Sequence, residues 1–450
     1  MVEEILGGVN GVLWSRPLIR SAAEAHMWTR LLVTPALAVL LLSATAPALE
    51  PPTFSDEVVR ILQNRCQTCH RPGEHAPFSL LSYRDAYDKK DDIRDAVHAR
   101  AMPPWKPVFG FGDFLEPRRL SDAELATLLR WVEAGAPEGD PANLPPPLVF
   151  SEGWKLGPPD HVLEMAEPYT VPGRASDVYR CFVIPTSFPE DRWVTKVEWA
   201  PGDRKLVHHI LSYIDTTSAA EALDRRDPGP GYTCFGGPGF NPAGGLSGWA
   251  PGIQPRVMAD GVGMLLPKGA RVVVQMHYNN NEPESRTDRT RAGLHFAKGP
   301  IDKRQRSIAA LNRTFTIPAG DRRYEVRASW TDYLGRDLHA NTITPHMHLL
   351  GREMMVTATY PNGLVRPLVH IDDWDFNWQG TYTFTQPVPL PRGTRIDVVA
   401  VFDNSAANLR QPSRPPRPVS WGEGTIDEMA IVFLGVTVDA ERIGWRPAAK

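Results

Sequence analysis

Apolar positions along the chain change their period once. From about Pro51 to Gly135 they recur at helical spacing. In Ser55-Asp-Glu-Val-Val-Arg-Ile-Leu62, Val58, Ile61 and Leu62 share a face, with Ser55 as the expected N-cap. Ser121 and Glu124 form a capping box opening a helix that carries Leu125, Leu128, Leu129 and Val132 and ends near Gly135. The proline-rich stretch 137–148 predicts a linker. Beyond it, short β-branched and aromatic runs recur between Pro and Gly: 193–199, 205–214, 270–278, 294–297, 343–350, 354–360, 396–403 and 429–438. That spacing predicts antiparallel sandwiches, and roughly 300 residues leave room for two. The expected fold is mainly β: a small α-helical domain over 51–136, then two antiparallel, jelly-roll-like β-sandwich domains over 149–303 and 304–441.

Composition narrows the class. The chain has 450 residues, 42% hydrophobic and 22% charged, which excludes wholesale disorder. Its 49 basic against 52 acidic residues leave a net charge of −3, without the basic excess that a nucleic-acid binder needs. The 44 prolines and 36 glycines fit many turns between short strands. Met27-Trp-Thr-Arg30, the apolar run 31–42 and Ala46-Pro-Ala48 have the build of a secretory signal within 1–48 and point to Met27 as the true start. This predicts export to a bacterial periplasm or the extracellular space, with no stable membrane span after cleavage.

Four cysteines stand at 66, 69, 181 and 234. Cys66-Gln-Thr-Cys69-His70 is C-x-x-C-H, the attachment signature of a covalently bound c-type haem, in which two thiols bond the vinyls and the histidine binds iron. A redox dithiol and half of a zinc site are the competing readings. The sixth iron ligand is expected to be Met102, in Ala101-Met-Pro-Pro-Trp-Lys106, with His75 and His98 as competitors. The segment resembles small bacterial cytochrome c domains, where a Met-Pro-Pro loop follows the haem motif.

Several of the 13 histidines fall in strand-like segments. In a strand His346 and His348 point to one face and can converge on an ion. His208 and His209 are adjacent and face opposite sides, so a shared metal needs a bulge or a strand end. His277 ends the apolar run 270–278.

Taken in order, His-His, His-Tyr, His-x-His-x-x-Gly and Asp-Glu-Met resemble the type-2 copper monooxygenases, the peptidylglycine α-hydroxylating and dopamine β-hydroxylating enzymes, over roughly 150–440. The resemblance implies two copper ions on two β-sandwiches that face each other across a solvent-filled cleft. One copper, on His208, His209 and His277 with Gln275 nearby, would transfer electrons. The other, on His346, His348 and Met429, would activate O2; a thioether suits Cu(I). Met347 is a rival thioether, although strand alternation turns it away. The resemblance also implies a disulfide between Cys181 and Cys234, worth about 4 kcal/mol in the chain-entropy model.

Three departures matter. Thr344 stands where the peptide-amidating enzymes carry a substrate-gripping arginine, and Ala430 replaces the cysteine after the oxygen-site methionine, so the second sandwich must rely on its core. Trp374, Phe376 and Trp378 alternate with polar residues and are expected to share a core face. The resulting expectation is an exported copper-dependent monooxygenase that hydroxylates a C–H bond of an unidentified organic substrate. Electrons would come from an ascorbate-like reductant or from a redox protein through the haem. The alternatives are a non-enzymatic copper and haem electron-transfer or copper-holding protein, and a surface-binding module joined to a cytochrome.

Overall fold

The computed structural model describes residues 50–447 except His75, Glu116, Ser151, Glu152 and Gly252. The expected signal segment, the Met27 start and the rival ligand His75 lie outside the described residues.

A π-helical turn, Phe54–Val58, continues as the α-helix Val59–Arg65. Ser55 does not cap it. The helix starts after Thr53, whose hydroxyl donates to Asp56 (2.8 Å) and whose N–H donates to Glu57 (3.0 Å), which leaves Ser55 buried in the first turn. Ser121 and Glu124 do form the box that opens Asp122–Glu133. A second box, Ser82 with Asp85, opens Tyr83–Asp88, and Lys90–His98 follows. Val58, Leu62, Leu128 and Trp131 bury one face of each element in a common core.

The proline-rich stretch is not a free spacer. The carbonyls of Pro137 and Glu138 accept the N–H groups of Phe54 and Ser55, while Arg60 and Gln63 donate to the carbonyls of Asn143 and Pro146. It runs back along the first helix. A second segment also fixes the helical region: Trp105–Leu115 lies along the second β unit. Val108 N–H donates to His370 O and Leu115 N–H to Thr383 O (2.8 Å each), and Lys106 pairs with Asp373 (2.7 Å). Phe114 enters that unit's core, stacked on Phe384.

The remainder is mainly β, in several antiparallel sheets. In the first β unit one sheet runs Tyr232–Thr233, Val178–Pro185, Arg271–Tyr278, Val207–Asp215, Gly248–Trp249. The other is built on His161–Glu164, Arg291–Phe296, Arg192–Ala200 and Val262–Leu266. Alternation sorts the side chains: Val272, Val274 and Met276 enter the core shared by both sheets, while Val273 points outward to Cys181, Tyr232 and Cys234. Cys181 and Cys234 form a disulfide, Cα atoms 5.8 Å apart, joining the edge pair of strands.

In the second β unit one sheet runs Arg306–Asn312, Ala430–Val438, Leu338–His346, Tyr382–Leu390. The other runs Tyr324–Thr331, Arg395–Phe402, Gly351–Thr359, Val365–Ile371. Both feed one core. The chain passes between the β units at Gln305: Lys303–Arg304 pairs with Val262–Gly263, and Arg306 onward pairs with Ala430–Val438. The expected strand 343–350 is displaced; it spans Leu338–His346, and a turn follows. His348 therefore lies outside the strand, and alternation is not what aims it.

Candidate metal centre

His209 and His277 sit directly opposite each other on neighbouring strands. One step on, Tyr278 pairs with Val207, so His208 is the extra residue of a β-bulge. The bulge turns His208 to the side that strand alternation denies it. The Nδ1 atoms of His208 and His277 each lie 3.3 Å from Nδ1 of His209, and the three residues form a group that could hold a metal ion. His277 is buried and its other ring nitrogen, Nε2, lies 2.8 Å from Asp177 Oδ1, a contact that fixes the ring. Tyr179 stacks on His277 at 4.2 Å. Gln275, two residues before, donates to Cys234 O (2.8 Å) and accepts from Tyr213, which braces the sheet behind the cluster.

A second group forms where the strand Leu338–His346 ends. The rings of His346 and His348 lie 5.1 Å apart. His346 Nδ1 is 2.5 Å from Gln379 Oε1 and His348 Nδ1 is 3.1 Å from Asp427 O, so Nε2 of each is the nitrogen left for a ligand. Met347 is fully buried in the core, turned away as expected, and Met429 lines the same cavity as both histidines. Glu428 organises this loop from a fully buried position: it accepts the N–H groups of His348 (2.9 Å), Leu350 (2.5 Å) and Met429 (3.2 Å). Burial pushes its carboxyl up to about 8 against those donors. Gly351 is required because a Cβ there would meet Trp374 at 2.7 Å, and Trp374 Nε1 donates to His348 O.

Burial sets the protonation of both groups. It pushes His208 and His348 down to about 3, His346 down to about 4, and His209 well below its ordinary value, with the neighbouring imidazoles adding to the effect. All four stay neutral at pH 7, the form that binds metals. Burial alone would raise the Asp177 carboxyl, but hydrogen bonds from His277 and Thr425 outweigh it and hold it at about 2.

The two groups are near neighbours. Phe376 lies between them, its ring 4.7 Å from His208 and 5.8 Å from His348. Asp177 also accepts from Thr425 Oγ1 (2.6 Å), and Tyr179 donates to Glu423 O (2.9 Å), so the loop before Met429 docks on the strand that pairs with His277. A cavity of about 2830 Å³ reaches His209, His346, His348 and Met429 and extends to Asn64 and Arg65 beside the C-x-x-C-H motif and to Thr68 within it. In place of an open cleft throughout, the β units touch at Phe376, at Asp177 and Thr425, and at Arg256 and Thr342.

In the helical region Cys66, Cys69 and His70 are half-buried, and both thiols are free. His70 Nδ1 is 3.3 Å from Phe78 O, which leaves Nε2 outward. Met102 is half-buried just past Lys90–His98, its N–H donated to Ala96 O, and His98 is exposed.

No protein-family model matches the chain, and no curated protein does. Among solved structures, the major capsid protein P2 of bacteriophage PM2 aligns over 63% of this chain and 99% of its own, at 11% identity and a TM-score of 0.26. PNGF-II aligns over 64% of this chain and 66% of its own, at 9% identity and a TM-score of 0.27. At those scores neither likeness bears on what this chain does.

Sequence reasoning missed Asp177, Gln379 and the position of Phe376. Nothing in the local pattern around Asp177 marks it, since its partners are 100 and 248 residues away. Phe376 was expected in the core with Trp374. Trp374 and Phe376 are both buried, but only Trp374 joins the core of the second β unit; Trp378 is half-buried, and the segment 372–378 is not a strand.

Proposed function

We propose that the chain is an exported copper-dependent monooxygenase that hydroxylates a substrate C–H bond with O2 and takes electrons through its own c-type haem. The observation that carries this reading is the meeting, across one phenylalanine, of two neutral histidine groups from different β units. One offers three Nδ1 atoms; the other offers two Nε2 atoms beside a thioether. Histidine suits copper in either valence, and methionine favours Cu(I). On this reading the β units are the two sandwich domains of the type-2 copper family and the helical region is an added cytochrome.

Bound copper would supply one-electron storage at each group and, at His346, His348 and Met429, activation of dioxygen. The chain's own residues do the rest. Asp177 holds the His277 ring with Nδ1 inward, Gln379 and Asp427 O hold Nε2 of His346 and His348 toward the cavity, and Glu428 fixes the backbone of His348 and Met429 together. Phe376 keeps water from the space between the groups.

The C-x-x-C-H residues suit haem better than the rival chemistries. Burial, with Cys69 adding to it, pushes the Cys66 thiol up to about 12, which opposes the thiolate that a dithiol or zinc site needs. A thioether carries no charge to desolvate. With Nδ1 turned to Phe78 O, His70 presents Nε2 for an axial bond. Met102 is the proposed sixth ligand, and haem there would supply one-electron transfer from an ascorbate-like reductant or a redox protein.

The decisive experiment is the copper-to-haem ratio of copper-reconstituted protein beside a His346→Ala/His348→Ala variant. Two coppers per haem, falling to one, is the expected result; no tightly bound copper overturns the reading. A second reading, copper and haem electron transfer without an enzyme, is favoured by the ring contact of Phe376 with both groups. O2 consumption coupled to a hydroxylated product separates the two.

A further inference from the structure

One face of the sheet that ends at His346 runs well beyond the second histidine group. Thr342, Thr344 and His346 alternate onto it and pair with Gly435, Phe433 and Ile431 of the next strand. All six line the cavity. Its walls are apolar and open: Leu211, Val257 and Phe433 are exposed large hydrophobic residues that face it. The Thr344 hydroxyl is engaged with Thr381 at 2.9 Å.

At the Thr342 end the lining changes character. A Cβ on Gly435 would collide with Gln305 Nε2 and Thr342 Oγ1 and come within 3.2 Å of Arg256 Nη2. The missing side chain lets an amide NH2 and a hydroxyl close onto the strand beside a guanidinium, so three donor groups meet in the cavity lining. Asn341 donates to Gln305 Oε1 (3.2 Å), which turns the NH2 toward Gly435, where it also donates to Arg306 O (3.3 Å). Arg256 arrives from the first β unit, on Arg256–Val257, and donates to Thr342 Oγ1 (3.1 Å). Its neighbour Arg306 is held by both oxygens of Glu441 (2.9 and 2.6 Å). Arg256, by contrast, has no carboxylate within ion-pair distance among the described residues, and burial lowers its affinity for the proton. A guanidinium withdrawn from water without an anion is unfavourable, and its planar fork matches a carboxylate.

We propose that this donor cluster binds, from the cavity side, the oxyanion end of an elongated, otherwise apolar substrate, with Arg256 as its counter-ion. The four-residue step from Thr342 to His346 spans about 13 Å of strand. A medium-length alkyl carboxylate anchored at Arg256 and laid along Phe433 therefore brings its far end to His346, His348 and Met429. The place of reaction rests on the copper reading above; the anion site does not. Thr344, which lacks the charge to hold an acid beside the metal, is consistent with an acid held farther away.

The test is calorimetric titration of the full, metal-free chain with decanoate, decanol and decylammonium, below micelle formation. Decanoate should bind about tenfold tighter than decanol, as a charge-assisted hydrogen-bonded pair implies, and decylammonium more weakly still. Arg256→Gln should erase the preference for decanoate over decanol, and Arg256→Lys should restore part of it. Gly435→Ala, whose Cβ would push Gln305 Nε2 and Thr342 Oγ1 out of place, carries the same expectation should Arg256→Gln fail to fold. Equal binding of decanoate and decanol by the unaltered chain, or an undiminished preference in Arg256→Gln, overturns the proposal. Copper content reports separately on the metal reading. Decanoate preference without copper uptake would sink that reading alone, and copper uptake without the preference would sink this one.

Discussion

The two histidine groups reach similar chemistry by opposite means. His208, His209 and His277 are placed by strand register: two hydrogen-bonded strands set the positions and one bulge corrects the side on which His208 emerges. His346, His348 and Met429 sit where strands have just ended or not yet begun, and a buried carboxylate holds the loops together. A group built on register inherits the rigidity of its sheet. One built on turns needs dedicated polar anchors, and here those converge on Glu428.

The largest effect expected from this contrast is on pH dependence. His208, His209, His346 and His348 all have folded-state values below the ordinary 6.5, so unfolding takes up protons as the pH drops. The imidazole contribution to the stability of the metal-free chain is complete above about pH 6.5 and is lost as pH falls toward 4, by about 1.4 kcal/mol per pH unit for each imidazole, while the raised Glu428 carboxyl opposes it with the slope of one such group. Urea unfolding at pH 7 and pH 5 measures it. The variants His208→Ala/His209→Ala and His346→Ala/His348→Ala should each remove about half of the imidazole slope, and a slope unchanged in either would break the symmetry assumed between the groups.

Next in size is Glu428→Ala, which strands three buried N–H groups. At about 1–3 kcal/mol each, a loss of about 4 kcal/mol is expected. Copper resonance spectra should show the second group emptied while the first is retained; equal loss at both would mean that Glu428 supports the β units as a whole. Asp177→Asn should act the other way, weakening metal at the first group about tenfold to a hundredfold and sparing the second. The smallest change is Tyr179→Phe, which removes the hydrogen bond to Glu423 O and keeps the ring on His277. A loss of about 1 kcal/mol in unfolding free energy is expected, with metal content unchanged.

These contrasts also explain what the chain discloses when read as a string. Seven of the eight expected strand runs coincide with strands to within a few residues, because half-buried sheets impose an alternation that is local. The cluster at His277 was legible as a need, since adjacent histidines cannot share a face without a bulge, but the position of that bulge depends on pairing across 68 residues. The end of the run 343–350 was misread because Met347 is as apolar as a strand residue, while the turn that buries it is set by Glu428 and Trp374. Ser55 looked like a cap until Thr53, backed by Asp56 and Glu57, took the role two residues earlier. Asp177 and Gln379 left no trace, for the histidines they hold are 100 and 33 residues away.

The segment Trp105–Leu115 bears on how this polypeptide can be divided. It pairs at Pro107 with Ile371 and at Phe114 with Phe384, on the outer strands of the two sheets of the second β unit, so it straps one open side of that unit shut. A truncation beginning at residue 149, where composition invites the cut, would bare two strand edges at once and leave a vacancy the size of a phenylalanine between them. Unpaired edges template association with other chains. Such a fragment is expected to precipitate or to pair with itself, and supplying residues 103–117 as a peptide should return it to solution.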